Sequence, residues 1–161
     1  MKILLLSRNQ DRRSFDCGNE ELNLFFRQYA SQAVRNRDCT CFVAVDEENG
    51  DLIGFFTLLA AEIALEKIRK FGVRSGYSSV PFVRLGRLAV SLSHQGKGIG
   101  RELVSAAAGI AQSQAIGSKG LLVDAKTEDL LEFYRQLGFQ QLCDPKPSRQ
   151  TVLLFPKAKL T

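Results

Sequence analysis

The densest concentration of chemistry-bearing residues lies in mid-chain, in Arg87-Leu88-Ala89-Val90-Ser91-Leu92-Ser93-His94-Gln95-Gly96-Lys97-Gly98-Ile99-Gly100-Arg101. Leu88, Ala89 and Val90 read as the end of a strand. Gln95, Gly96, Lys97, Gly98 and Gly100 follow, and Arg101 falls in the first turn of an amphipathic helix. A helix N-terminus presents unpaired N–H groups and partial positive charge, and glycines let the backbone approach a ligand closely. Lys97 and Arg101 add formal charge, so the natural occupant is a phosphate or pyrophosphate. The Q-x-x-G-x-G spacing is not a dinucleotide fingerprint, whose third glycine would fall on Arg101, and G-x-x-x-x-G-K-[ST] is absent. Glycines that merely allow tight helix–strand packing are the structural alternative.

Other constellations are weaker. Cys39 and Cys41 stand in a C-x-C spacing, Cys17 and Cys143 stand alone, and His94 is the only histidine. A zinc site would need nearly every such residue from distant segments, so no metal is expected. A Cys/His nucleophile would require His94 to meet one of these cysteines, which fall in strands or a cap segment. The four are read as reduced core thiols of a cytoplasmic protein.

Charge is unevenly placed. The chain carries +5 overall, yet Lys67 to Arg101 holds eight basic residues and no acid, while the remainder has 14 basic and 17 acidic residues. Arg27, Arg35 and Arg37 form a second basic group on the first helix. Clustered cations concentrate phosphate-bearing ligands and speed their capture. A polyanionic partner is therefore expected, against the plainer reading of a solvated basic face.

The elements that must position these residues follow from pattern. With 161 residues, 45% hydrophobic and 24% charged, one domain spanning 1–161 is expected, with a core of its own. No apolar run approaches the roughly 18 residues of a membrane span, and the short apolar stretch after Met1 lacks a cleavage site, so no membrane partner or secretory signal is expected. Strands are expected at Lys2–Leu6, Thr40–Asp46, Asp51–Ala61, Pro81–Val90, Gly120–Asp124, Phe139–Cys143 and Thr151–Phe155. Asn49-Gly50 is a hairpin turn. Asn19 caps a helix burying Leu22, Phe25, Phe26, Tyr29 and Ala33. A helical turn over Glu62–Phe71 precedes a Gly/Ser-rich loop. Further helices run from Gly98 to Gln114 and from Glu128 to Leu137, the last stopped by Gly138. The class is α/β, a mixed central sheet flanked by helices on both faces.

The loop following Leu88-Ala89-Val90 resembles the acetyl-CoA signature of the GNAT superfamily of N-acetyltransferases, and the element order resembles that fold over nearly the whole chain. The resemblance implies acetyl-CoA as co-substrate. Its pyrophosphate would lie on Gln95, Gly96, Lys97, Gly98, Gly100 and Arg101, and its pantetheine arm along the backbone of Leu88, Ala89 and Val90. Glu132-Phe133-Tyr134-Arg135-Gln136-Leu137-Gly138-Phe139 matches the family's F/L-Y-x-x-x-G-F. It implies Tyr134 as the general acid that protonates the departing CoA sulfur; a tyrosine keeps its proton at neutral pH. The Val90 N–H would polarise the thioester carbonyl. Where many members carry an asparagine, this chain has Thr127, and that contact is not carried over. No general base is evident, His94 reading as a solvated loop residue; an amine with a pKa near 8 is already partly neutral.

A finer resemblance concerns the acceptor. Phe15-Asp16-Cys17-Gly18-Asn19-Glu20-Glu21-Leu22-Asn23, with Phe26 and Tyr29-Ala30-Ser31-Gln32, is similar to the F-x-C-G-x-x-x-L-x-x-F signature of bacterial GNAT toxins. Val83-Arg84-Leu85-Gly86-Arg87-Leu88-Ala89-Val90 is similar to their L-G-R-L-A-V strand. Such toxins acetylate the α-amine of aminoacyl-tRNA and block translation. The resemblance implies a homodimer neutralised by a co-encoded ribbon-helix-helix antitoxin, though the short basic end, Lys157 to Thr161, supports no antitoxin contact. The expected contacts to tRNA are Arg35, Arg37, Arg84 and Arg87, with Lys97 shared between RNA and CoA phosphates. A GNAT enzyme acting on a protein or small-molecule amine is the alternative acceptor reading, and a basic binding domain with an inactive acyl-CoA site is the non-enzymatic one.

Overall fold

A computed structural model describes residues 1–113, 115–142 and 150–155. The strands form a mixed seven-stranded sheet in the order β1-β2-β3-β4-β5-β7-β6, the α/β class expected. They are β1 (Lys2–Leu5), β2 (Thr40–Val45), β3 (Leu52–Ala64), β4 (Ser79–Val90), β5 (Leu121–Ala125), β6 (Gln140–Gln141) and β7 (Gln150–Leu154). The helices are α1 (Glu20–Leu24), α2 (Ala30–Arg35), α3 (Leu65–Ile68), α4 (Ile99–Ala111) and α5 (Glu128–Gln136). Two compact units emerge: Met1–Leu59 with Leu85–Ala107, and Ala60–Arg84 with Ala108–Thr161. Both β3 and β4 contribute residues to each.

In the first unit β1, β2 and β3 form an antiparallel ladder, Ile3 opposite Ala44 and Val43 opposite Phe55. The Asn49-Gly50 turn closes as expected: Gly50, at φ 76°, donates its amide to Asp46 O at 2.8 Å. One face of the ladder carries an aromatic core in which Phe26 stacks on Phe55 at 4.3 Å and meets Phe15 edge-on at 4.8 Å. Asn19 caps α1 as expected, its side chain accepting from Leu22 N at 3.1 Å.

The first helix departs from a continuous 3.6-residue period. Phe25–Tyr29 forms a π turn between α1 and α2. The wider turn lets the consecutive Phe25 and Phe26 both pack near Phe55, and it rotates every residue beyond it. Tyr29, expected in the core, is 50% exposed, and Ala30 is fully buried in its place.

The second unit has its own core of Ile63, Leu65, Ile68, Val80, Phe82, Leu122, Leu142 and Leu153. There β4 runs parallel to β5 through Val83–Leu121 and Arg84–Leu122, while β7 pairs antiparallel with β5 and β6. The expected turn at Glu62–Phe71 splits: β3 continues to Ala64, and only Leu65–Ile68 is α-helical before a 3-10 turn at Arg69–Phe71. Gly138, at φ 93°, ends α5 where the sequence places a C-cap. Gln114, Cys143 and the loop with Pro145 and Pro147 lie outside the described residues. Cys17, Cys39 and Cys41 are free thiols, and burial pushes Cys41 up to about 12, which keeps that thiol protonated at neutral pH.

Candidate functional site

Within the first unit β4 delivers the backbone of Leu88–Val90 to the glycine loop. Ala89 is buried in the aromatic core, and its carbonyl passes so near β3 that a Cβ on Gly54 would stand 2.5 Å from it. A glycine inside an apolar strand signals such an approach. After Val90 the chain turns through a short 3-10 segment, Leu92–His94, and reaches Gly96 and Gly98 at φ 74° and 80°. Open space surrounds both: a Cβ on either would meet nothing within 4 Å. Among the described residues neither amide donates to a backbone carbonyl, whereas Gly98 O accepts from the amides of Arg101 and Glu102, starting α4. Left-handed glycines whose amides have no backbone acceptor, leading into a 13-residue helix, are suited to form an anion-binding nest for a pyrophosphate.

The side chains assigned to this loop mostly shape it. The Gln95 carboxamide donates to Cys17 O at 2.8 Å and to Val90 O at 2.9 Å, tying both ends of the turn to the N-terminal segment. The Leu92 amide donates to Asp16 O at 2.8 Å, and Leu92 Cδ2 would lie 3.0 Å from a Cβ on Gly18. Lys97 folds back, its ammonium 3.2 Å from Ser93 O. His94 Nδ1 lies 2.7 Å from Ser91 Oγ and 2.9 Å from Ser93 Oγ, so the loop's own hydroxyls engage it.

The segment that meets the loop is itself pinned. Asn23, 2% exposed, accepts from the Cys17 amide at 2.8 Å and donates to Asp16 Oδ1 at 2.8 Å. Asp16 Oδ1 also accepts from the Gly18 amide, and these bonds hold its carboxyl below the usual range, the backbone bond contributing most. The Phe15–Asn23 signature is thus, in this fold, the brace of the glycine loop.

The second unit presents Tyr134. Thr127 caps α5, its hydroxyl accepting from Leu130 N at 3.2 Å. Tyr134 is 4% exposed, edge-on to Phe133 and Phe139 at 5.1 Å each. Its hydroxyl makes no hydrogen bond among the described residues. Burial raises its pKa from 10.0 to about 12, so the hydroxyl keeps its proton at neutral pH.

The four arginines expected on RNA meet different fates. Arg35 and Arg37 are exposed at the end of α2, Arg37 in the left-handed region at φ 61°. The exposed Arg87 stacks its guanidinium 3.8 Å from the centre of the Phe25 ring, which orients the cation without neutralising it. Arg84 forms a half-buried ion pair with Asp124, whose other oxygen accepts from Thr151 Oγ1 at 2.7 Å.

Comparison with known proteins decides the family. The acetyltransferase (GNAT) family model matches residues 6–139. The chain belongs to the GNAT acetyltransferase family. Like that family it is an acyltransferase whose acetyl donor is acetyl-CoA. It is 28% identical over 156 residues to the tRNA-acetylating toxin of Mycobacterium tuberculosis, covering 96% of this chain and 92% of that protein. Among solved structures, AtaT complexed with acetyl-methionyl-tRNAfMet superposes with a TM-score of 0.82 at 29% identity, over 96% of this chain and 94% of the other. A tyrosine-to-phenylalanine variant of AtaT, bound to the C-terminus of the antitoxin AtaR and acetyl-CoA, gives 0.76 at 29% identity, over 94% and 92% of the two chains. Among the described residues no helix of this GNAT protein is long and apolar enough to cross a membrane.

Proposed function

We propose that this GNAT protein transfers acetyl from acetyl-CoA to the α-amine of an aminoacyl-tRNA, as a toxin that blocks translation. The observation that carries the reading is the open nest of Gly96 and Gly98 ahead of α4, braced by Asp16 and Cys17 of the toxin-like signature. The toxin relatives support the acceptor, as does a 35-residue stretch, Lys67 to Arg101, free of acids.

Acetyl-CoA, when bound, supplies the acetyl group as a thioester. In this reading the loop amides, Gln95 and Gly100, with Lys97 and Arg101, would hold its pyrophosphate, the backbone of Leu88–Val90 would carry the pantetheine arm, and Val90 N–H would polarise the thioester carbonyl. The amine nitrogen would bond to the acetyl carbon as the C–S bond breaks, Tyr134 Oη giving the sulfur its proton and the proton shed by the amine restoring the phenol. The acceptor needs little base catalysis, because an α-amine with a pKa near 8 is partly neutral at physiological pH. Arg35, Arg37 and Arg87 hold the acceptor stem, while Arg84 acts through its pair with Asp124. We further infer a cytoplasmic homodimer, silenced by a ribbon-helix-helix antitoxin.

Transfer of labelled acetyl to charged tRNA, run beside the same pool deacylated, tests the reading. Label on the charged pool alone is expected. Label on neither, with acetyl-CoA still raising the melting temperature, would overturn the acceptor and point to a protein or small amine.

A further inference from the structure

The first unit holds a second cation-rich recess, made of residues that take no part in the glycine loop. A cavity of about 430 Å³ is lined by Arg8, Arg12, Arg13 and Arg27, by one acid, Asp11, and otherwise by short polar side chains. Arg13 and Asp11 chelate each other, with Nε to Oδ1 at 2.9 Å and Nη2 to Oδ2 at 2.7 Å. That pairing holds Asp11 ionised, near 2, so this carboxylate is engaged by its own neighbour.

Arg12 and Arg27 are oriented by backbone carbonyls. Arg12 donates Nε to Phe26 O at 2.7 Å and Nη2 to Ser31 Oγ at 2.9 Å, with its guanidinium 5.6 Å from the Phe26 ring centre. Arg27 donates Nε to Phe15 O at 2.7 Å and has Glu20 at the edge of ion-pair range, 3.8 Å. Arg8 is exposed and makes no hydrogen bond or ion pair among the described residues. A guanidinium has five N–H donors, so Arg12 and Arg27 keep several for a ligand, and their backbone tethers reduce the entropy lost on binding. Asn9, Gln10 and Asp11 also wall an adjoining cavity of about 680 Å³ that reaches Ser91–His94, where Asp16 and Asp51 join Asp11 and no lysine or arginine appears. Of these two cavities, the arginine recess is the one whose lining carries positive charge.

We propose that this recess grips the phosphodiester backbone of the tRNA, a positioning contact beyond the reacting amine; the proposal rests on the reading of the acceptor as aminoacyl-tRNA. A nucleic-acid backbone is favoured over an acidic peptide because no apolar residue lines the recess, whereas peptide anchors need apolar pockets.

The test is the double variant Arg8→Glu, Arg13→Glu, whose exposed side chains hold nothing outside Asp11. Binding of deacylated tRNA is measured across a salt series, together with acetylation of a 3′-aminoacyl nucleoside, which has the amine and no phosphodiester. Binding is expected to weaken at least tenfold and the slope of log K against log salt to fall by about 1, with nucleoside turnover unchanged. Unchanged tRNA affinity and slope would overturn the proposal, as would loss of affinity for a poly-glutamate peptide alone. Failure of the unaltered protein to acetylate charged tRNA would instead sink the acceptor reading, while deacylated-tRNA binding still judges the recess.

Discussion

Ser91 to Gly98 owes its shape to partners far away in the chain, whereas Tyr134 is presented by its neighbours. The loop hangs from Asp16 O and Cys17 O, the latter bonded to Gln95 across 78 positions. Tyr134 stands on α5 behind the Thr127 cap, with a phenylalanine ring edge-on to it from either side of it in sequence. Their chemistry differs in the same sense. The loop offers backbone N–H groups, which any side chain may accompany provided the turn keeps its form. The helix offers one hydroxyl and nothing in reserve. Damage to the brace should therefore weaken donor binding and leave turnover, and damage to Tyr134 should do the reverse.

The largest effect is expected at Tyr134. Tyr134→Phe removes the acid and keeps the ring packing, so acetyl transfer should fall by about 10²–10⁴-fold, with the acetyl-CoA dissociation constant unchanged. Rapid-quench turnover beside calorimetry separates the two; a matching loss of affinity would break the contrast. A pH signature accompanies it. Tyr134 titrates in the fold at about 12 rather than 10.0 because burial disfavours the phenolate. Its contribution to stability is complete below pH 10 and is lost as pH rises to about 12, by roughly 3 kcal/mol at most. Denaturant titrations of the phenylalanine variant should lack that alkaline decline.

Next in size is Gln95→Glu. A carboxylate there faces the carbonyl oxygens of Cys17 and Val90 with no proton to give either. Acetyl-CoA should bind at least tenfold more weakly and the melting temperature should drop, while turnover at saturating donor stays within a few-fold. Gln95→Ala, which loses the bonds without adding repulsion, should cost about 1 kcal/mol. If Gln95→Glu reduced turnover and spared donor affinity, the loop would be acting on the reacting atoms instead of holding the donor.

The same contrast governs how much of the molecule is readable from its residues. Features settled within a few positions are legible: the Asn19 cap, the Asn49-Gly50 turn, the Gly138 stop and the order of strands and helices. The glycine nest was legible because backbone conformation there demands glycine. Its brace was not, since Asp16 and Cys17 act through carbonyls that every residue possesses; the Phe15–Asn23 signature marked the kind of relative but not the job. The π turn at Phe25–Tyr29 was hidden because a five-residue turn leaves no mark in a 3.6-residue pattern, and only the burial of Ala30 in place of Tyr29 exposes it. Arg84 is expected on RNA from sequence, and its ion pair with Asp124, 40 positions on, is visible only in the fold. The recess of Arg8, Arg12, Arg13 and Arg27 was missed for the opposite reason: with Asp11 interspersed, the segment looks like ordinary mixed surface charge.

Arg37 offers the smallest effect and the finest discrimination. It ends α2 at φ 61°, with its amide on Val34 O at 3.0 Å and the next amide, of Asp38, on Ala33 O at 2.9 Å, a backbone closure that suits glycine. A non-glycine residue there carries about 1 kcal/mol of strain, and its side chain is exposed, so packing gives no reason to keep it. Arg37→Gly should relieve the strain, partly offset by the greater freedom of glycine in the unfolded chain, and raise the melting temperature by about 1–3 °C. The same change should weaken tRNA binding and lower its salt slope by about 1 if the cation rests on a phosphate. Gain of stability with loss of affinity would show a strained residue held for its charge, a third arrangement beside the braced loop and the local helix. Gain of stability with affinity intact would remove Arg37 from the RNA surface and leave Arg35 and Arg87 to hold the acceptor stem.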